Sequence, residues 1–162
     1  MKEETLDKIK TYAVAIAVPV AVGIAAAALT RSGMDIYSQL KQPPLSPPAL
    51  IFPIVWGILY VLMGVSSGMI VESKDHAPEH ARRGLIYYGV SLGLNFLWTL
   101  VFFNLREFRY ALVILAAMIY CVIRTIFSYR KVKPIAGYLQ ISYVLWLLFA
   151  AYLNVGIMIL NS

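Results

Sequence analysis

Charge is scarce in this 162-residue chain, and where it is missing says more than how little there is. Only 14% of positions are charged against 60% hydrophobic, with a mean hydropathy of +0.74. A water-soluble domain is roughly one quarter charged. No acidic residue falls inside any of the long apolar runs; Glu72 lies just past the second, and Asp35 and Glu107 lie between runs. Proton-coupled transport generally requires carboxylates or histidines within the membrane, so a pump-like mechanism is disfavoured. Cysteine is almost absent. The single Cys121 excludes an intramolecular disulfide, and its place inside the fourth run reads as a small buried apolar residue. No phosphate-binding glycine loop and no Ser-His-Asp or Cys-His constellation occurs, so residue chemistry alone gives no enzyme. The only two histidines, His76 and His80, stand four apart beside Glu72, Asp75 and Glu79. Pro78 between them argues against a continuous helix, and they read as solvated loop residues with no metal site.

Five nearly charge-free stretches remain, at about 11–30, 49–71, 84–105, 110–129 and 135–160. Each is about 20 residues or slightly more, enough for a helix to cross a hydrocarbon layer of roughly 30 Å. Only helices and closed barrels satisfy the backbone in lipid, and these runs lack the alternation of barrel strands. The expectation is an all-α integral membrane protein, a five-helix transmembrane bundle forming a single domain over 1–162, with the lipid bilayer as its principal partner. The first run follows a charged segment and precedes Ala26-Ala27-Ala28, as in a secretory signal, but its apolar core is too long, and it is read as a retained helix. Ten of the fourteen Lys and Arg fall at the N-terminus, between the second and third runs, and around the end of the fourth; four fall elsewhere. The positive-inside rule then predicts a cytoplasmic N-terminus and an external C-terminus, with Arg124 snorkelling to the cytoplasmic face. Topology thus explains the net charge of +6, and no nucleic-acid-binding pattern accompanies it.

Proline is concentrated in one place. KQPPLSPPALIFP, residues 41–53, holds five of the eight prolines. This stiff segment ends a connection over 31–48 that topology puts on the external side. Counting down at about 1.5 Å per residue places Trp56 and Trp98 at similar depth beneath it, and Trp146 roughly twice as deep. At about 100° per residue, Ser91, Asn95, Trp98 and Phe102 share one arc of the third run. Tyr143, Trp146, Ala150, Leu153 and Asn154 follow the same spacing in the fifth. Buried asparagines in hydrocarbon need partners. Two outcomes stay open: a hydrogen-bond network between helices, or an aromatic pocket with a few orienting polar groups. Opposite that arc, Gly89 and Gly93 form a small-residue step suited to close helix approach, within the bundle or across a dimer; Gly64 and Gly68 form another in the second run.

The chain resembles the TspO/MBR family of tryptophan-rich sensory proteins and mitochondrial translocator proteins (peripheral benzodiazepine receptors). The matching residues are Tyr37 with Leu40-x-x-Pro43 and Ser46-Pro47-Pro48, then Pro53-x-x-Trp56-Gly57-x-Leu59-Tyr60. Asn95-x-x-Trp98-x-x-x-Phe102-Phe103 follows, and last Tyr143-x-x-Trp146-x-x-Phe149-Ala150-x-Tyr152-Leu153-Asn154. They cover most of 36–154 in order, as in a bacterial-type member in the cytoplasmic membrane.

The resemblance implies a five-helix bundle, often a homodimer meeting through the Gly89 and Gly93 face, with a pocket closed by the first connection. The ligand implied is a porphyrin or haem-type tetrapyrrole, with no cofactor required. Carried over by position, the pocket residues are Tyr37, Pro43, Trp56 and Asn95, joined by Trp98, Trp146, Ala150 and Leu153; Pro43, Leu45, Pro47 and Pro48 belong to the lid. Some family members are linked to light- and oxygen-dependent porphyrin breakdown, in which tryptophans matching Trp56 and Trp146 are implicated. The function expected is therefore a membrane sensor or translocator-type receptor for tetrapyrroles, with a passive carrier and a porphyrin-degrading protein as alternatives. Two departures stand out. Leu45 occupies a place where many members carry Trp, and Val155 to Ser162 lacks the Tyr and Arg of the animal cholesterol motif.

Overall fold

The computed structural model describes residues 2–161, which contain no strand. Five helical spans are long and apolar enough to cross a membrane: Glu3–Leu29, Ile51–Glu72, Pro78–Leu105, Phe108–Val132 and Pro134–Leu160. The chain is an integral membrane protein built as an all-α bundle. The elements are α1 (Lys2–Leu29), α2 (Arg31–Tyr37), α3 (Ile51–Glu72), α4 (Pro78–Thr99), α5 (Phe108–Val132), α6 (Pro134–Leu139) and α7 (Ile141–Leu160).

Helix limits depart from the hydrophobic runs for local reasons. Helix α1 begins nine residues before its run, because the charged turns are good helix formers and pair along it, Glu4 with Lys8 at 3.3 Å. Helix α4 begins six residues early at Pro78, a first-turn position where the missing N–H costs nothing. His76 therefore lies in a short 3₁₀ turn and His80 in α4. The far end of α4 widens into a π-helical stretch, Leu100–Leu105, which Arg106 closes at φ 56°. Such insertions recur at functional sites, and here consecutive Phe102 and Phe103 are both buried. The fifth run is two helices, broken at Gln140. That side chain is buried and donates from Nε2 to Ser66 Oγ at 3.2 Å, while Ser66 donates to the Ala136 carbonyl at 2.8 Å.

Helix α1 packs on α3, and α4 on α5 with α7 alongside, whereas α3 touches α4 and α7 only sparsely. The bundle therefore has a seam running between α3 on one side and α4 and α7, each resting on α5, on the other. Gly64 and Gly68 serve the α1–α3 contact. An added Cβ at Gly64 would stand 2.5 Å from Ile16 Cα, and one at Gly68 would meet the Tyr12 ring at 2.7 Å. Gly89 and Gly93 are exposed and have nothing within 4 Å of such a Cβ, so of the two placements open to that step the one inside the bundle is excluded. The exposed Arg124 holds its guanidinium over the Tyr87 ring, 5.4 Å from its centre.

The connection over 31–48 is not one irregular loop. Its first part is α2, and its second runs down the side of α7 as a strap. Asn161 accepts from the Lys41 amide at 3.0 Å and donates to the Lys41 carbonyl at 2.9 Å. Pro43 lies against Gly156, and Tyr152 donates to the Pro44 carbonyl at 2.6 Å. Pro43 to Ser46 make a turn closed by the Ser46 amide on the Pro43 carbonyl at 3.3 Å. Pro44 occupies its second position and Leu45, at φ 66°, its third, where glycine is usual.

Candidate functional site

The strap descends before α3 begins, so the first turns of α3 enter the bundle below the level where α7 ends. This corrects the depth count for Trp146, which assumed a common outer boundary. Trp146 and Trp56 are in contact, ring centres 6.5 Å apart and edge to face.

Trp56 joins four rings across the seam. Tyr60 stacks on it at 5.5 Å, Trp98 meets it at 6.4 Å, and Tyr143 abuts it at 6.0 Å. The layer extends from Trp98 through Phe102 at 5.3 Å to Phe103, and from Trp146 through Phe52 at 6.1 Å to Tyr37 at 5.4 Å. These rings come from α2, α3, the α4 span and α7. Each helix turns one aromatic stripe inward because the opposite side meets lipid or a neighbouring helix. Trp98 is buried, whereas Trp56 and Trp146 are half-buried at the edge of the seam.

Between the rings is a small, partly open apolar cavity of about 10 Å³, lined by Tyr37, Phe52, Trp98, Phe102, Phe103, Ala150 and Leu153. That is room for about one water molecule. Two buried polar atoms in this layer make no hydrogen bond: the Tyr37 hydroxyl, whose polar neighbour Ser46 instead donates to the Pro43 carbonyl at 2.8 Å, and the Trp146 indole nitrogen. Burial raises the Tyr37 hydroxyl above the ordinary tyrosine value, so it remains a protonated donor at neutral pH.

The asparagines are engaged elsewhere. Asn95 accepts from the Tyr60 hydroxyl at 2.8 Å and donates to the Tyr143 hydroxyl at 3.4 Å. Asn154 accepts from Trp98 Nε1 at 3.3 Å and donates to the Phe108 carbonyl at 2.9 Å. The asparagines thus form the hydrogen-bond network between helices, one of the two outcomes left open for this interior. Asn95 and Asn154 knit helices together, while Tyr37, Trp98, Ala150 and Leu153 line the cavity. Pro43 is buried against α7 and does not line it, and Leu45 is 83% exposed. Pro47 is half-buried, and the exposed Pro48 accepts the first amide bond of α3 at 2.9 Å. Phe52 and Phe103 are lining residues that face counting missed. Phe52 was legible as the first large ring after the prolines, and Phe103 only through the π-helical turn.

The family described as TspO/MBR matches residues 15–160. The chain is 30% identical over 155 residues to the Tryptophan-rich protein TspO of Chlorobaculum tepidum, covering 95% of this chain and 98% of that one. It is 33% identical over 129 residues to Protein CrtK of Rhodobacter capsulatus, covering 77% and 78% respectively. It is also 35% identical over 133 residues to the Translocator protein of Bos taurus, covering 82% and 79%.

Proposed function

The chain belongs to the TspO/MBR family, and on that premise we propose that its aromatic seam binds a flat hydrophobic tetrapyrrole of the porphyrin type, making it a membrane receptor of the sensor or translocator kind. The observation that carries this reading is the continuous layer of rings in the seam: half-buried Trp56 meets Trp98 and Trp146, and an apolar cavity beside them is walled by Phe52, Trp98, Phe102 and Phe103. The Tyr37 hydroxyl, buried without a hydrogen bond, becomes available to a ligand acceptor once the seam parts.

Sites for molecules of this size enclose roughly 300–1,000 Å³, so the seam must part for the ligand to enter. Parting is inexpensive in kind, because ring-on-ring contacts within the protein are exchanged for ring-on-ligand contacts of similar strength, about 0.5–1.5 kcal/mol per pair beyond burial. Trp56 and Trp146, at the half-covered edge, would stack on the macrocycle, with Ala150 and Leu153 forming the opposite wall. Titration of the reconstituted protein with a free-base porphyrin should quench tryptophan fluorescence saturably. Linear, non-saturating quenching would remove this proposal.

Self-association through Gly89 and Gly93 is part of the same reading, supported by the exposure of both glycines on one face of α4. The contact between Trp56 and Trp146 favours a second reading, porphyrin breakdown under light and oxygen. An unchanged photoproduct yield in the double variant Trp56→Phe, Trp146→Phe would end it.

A further inference from the structure

A groove of about 340 Å³ lies between the end of α5 and α6, lined by Phe127, Arg130, Lys131, Pro134 and Tyr138. It belongs to neither the aromatic seam nor the exposed glycine face. We propose that it holds one anionic phospholipid, its phosphate on Arg130 and Lys131 and its acyl chain along Phe127 and Tyr138.

Arg130 is set in advance for such a charge. Its stem lies on Gly137, where any larger residue would collide with it, and its guanidinium sits over the Tyr138 ring, 5.1 Å from the centre. A cation held over an aromatic face loses less side-chain freedom on binding. Among the described residues no carboxylate lies within ion-pairing distance of Arg130 or Lys131; the ion pairs found there are formed by Lys8 and Lys10 with Glu4, Asp7 and Glu72. The groove thus carries two uncompensated positive charges on an apolar floor, a match for a phosphate that brings a hydrocarbon tail.

Position identifies the source of that phosphate. Arg130 and Lys131 occupy the last turn of the fourth span, and Pro134 opens the fifth, so the cations stand where the hydrophobic runs end and lipid headgroups begin. Phe127, 62% exposed, and Tyr138, 51% exposed, extend from them toward the hydrocarbon. Tyr120, Arg124, Phe127 and Lys131 recur at helical spacing on one stripe of α5, with Tyr87 of α4 packed on Tyr120 at 6.3 Å. Basic pockets between membrane helices near the surface are suited to acidic headgroups. A zwitterionic lipid offers the same phosphate but adds a cation that would meet Arg130, so selectivity for net negative charge follows.

The test is native mass spectrometry of the detergent-purified full chain titrated with phosphatidylglycerol, with phosphatidylcholine of the same chains, and with inorganic phosphate. One phosphatidylglycerol should be retained at a concentration at least tenfold below phosphatidylcholine, and equimolar inorganic phosphate should not displace it. Arg130→Gln with Lys131→Gln should weaken retention about 30-fold, taking about 1 kcal/mol per cation near a charged surface. Tyr138→Leu, which leaves both charges in place, should weaken it severalfold with helix content unchanged. Equal retention of the two lipids, or wild-type retention by the double variant, overturns the proposal. Displacement by inorganic phosphate overturns it in favour of a free-anion site.

Discussion

Replacing Tyr37 by Phe should make the protein more stable and a poorer receptor. The ring is 3% exposed, packs on Phe52, Phe102 and Phe103, and carries a hydroxyl that makes no hydrogen bond. Phe keeps the shape and removes only that oxygen. A buried polar group left unpaired costs about 1–3 kcal/mol. Recovering it would raise the melting temperature by roughly 2–12 °C, at about 2–4 °C per kcal/mol for a chain of this length. The ligand would lose the hydrogen bond that this hydroxyl offers, worth about 0.5–1.5 kcal/mol or roughly a 2- to 12-fold weaker affinity. Thermal unfolding in one detergent, followed by helix signal, measures the first effect, and porphyrin quenching of tryptophan fluorescence measures the second. Because the hydroxyl is held protonated above the ordinary tyrosine range, wild-type affinity should not change between pH 6 and 9 through this residue. A Tyr37→Phe protein that melts lower refutes the reasoning, since the hydroxyl must then have a favourable partner. One that melts higher but binds as before would show that the cavity wall is structural only.

Gly64→Ala should destabilise by about 1–3 kcal/mol, because the new methyl meets backbone atoms of Ile16 and Ala15. Gly93→Ala, with open space for its methyl, should stabilise by about 0.5–1 kcal/mol, and a similar loss in the two variants would contradict the α1–α3 packing. Gly93→Leu should convert a homodimer to monomer in light scattering with helix content intact, and a persistent dimer would move that contact elsewhere. Leu45→Gly should stabilise by up to about 1.5 kcal/mol, since a left-handed conformation costs an L-residue about 1–2 kcal/mol and glycine's added freedom about 0.5–1 kcal/mol; a loss of stability would mean that the Leu45 side chain has a partner. Asn161→Ala removes both bonds to Lys41 and should raise amide exchange over 38–48 about tenfold, whereas unchanged exchange there would deny the strap its anchor.

Hydropathy located the five spans because lipid tolerates few exceptions, and spacing selected the inward faces of α4 and α7 because a membrane helix has only one face for polar groups. Both rules concern solvent, so neither marks where a helix starts. Charged but helix-competent residues Glu3 to Lys10 extend α1 beyond its run, and Pro78 nucleates α4 ahead of its own. The break at Gln140 depends on a bond to Ser66 in another helix, which no local pattern announces. The strap escaped the sequence for a similar reason. Prolines signal stiffness, but its course is fixed by Tyr152, Gly156 and Asn161, more than a hundred positions later. Asn95 and Asn154 were recognisable as buried, and only their distances to Tyr60, Tyr143, Trp98 and Phe108 reveal that they join helices.

The strap also bears on how the proposed ligand would be supplied. With Lys41 to Pro44 fastened along the final two and a half turns of α7, that side of the bundle is covered by backbone. Trp56 and Trp146 are only half covered, and Ile54, Ile58, Leu145 and Leu148 beside them in sequence are open to acyl chains. A molecule that enters beside them dissolves in the bilayer first, and its activity in the hydrocarbon, rather than in water, sets occupancy. Apparent affinity per volume of buffer should then weaken in proportion as empty lipid is added, while affinity per mole fraction of membrane stays fixed.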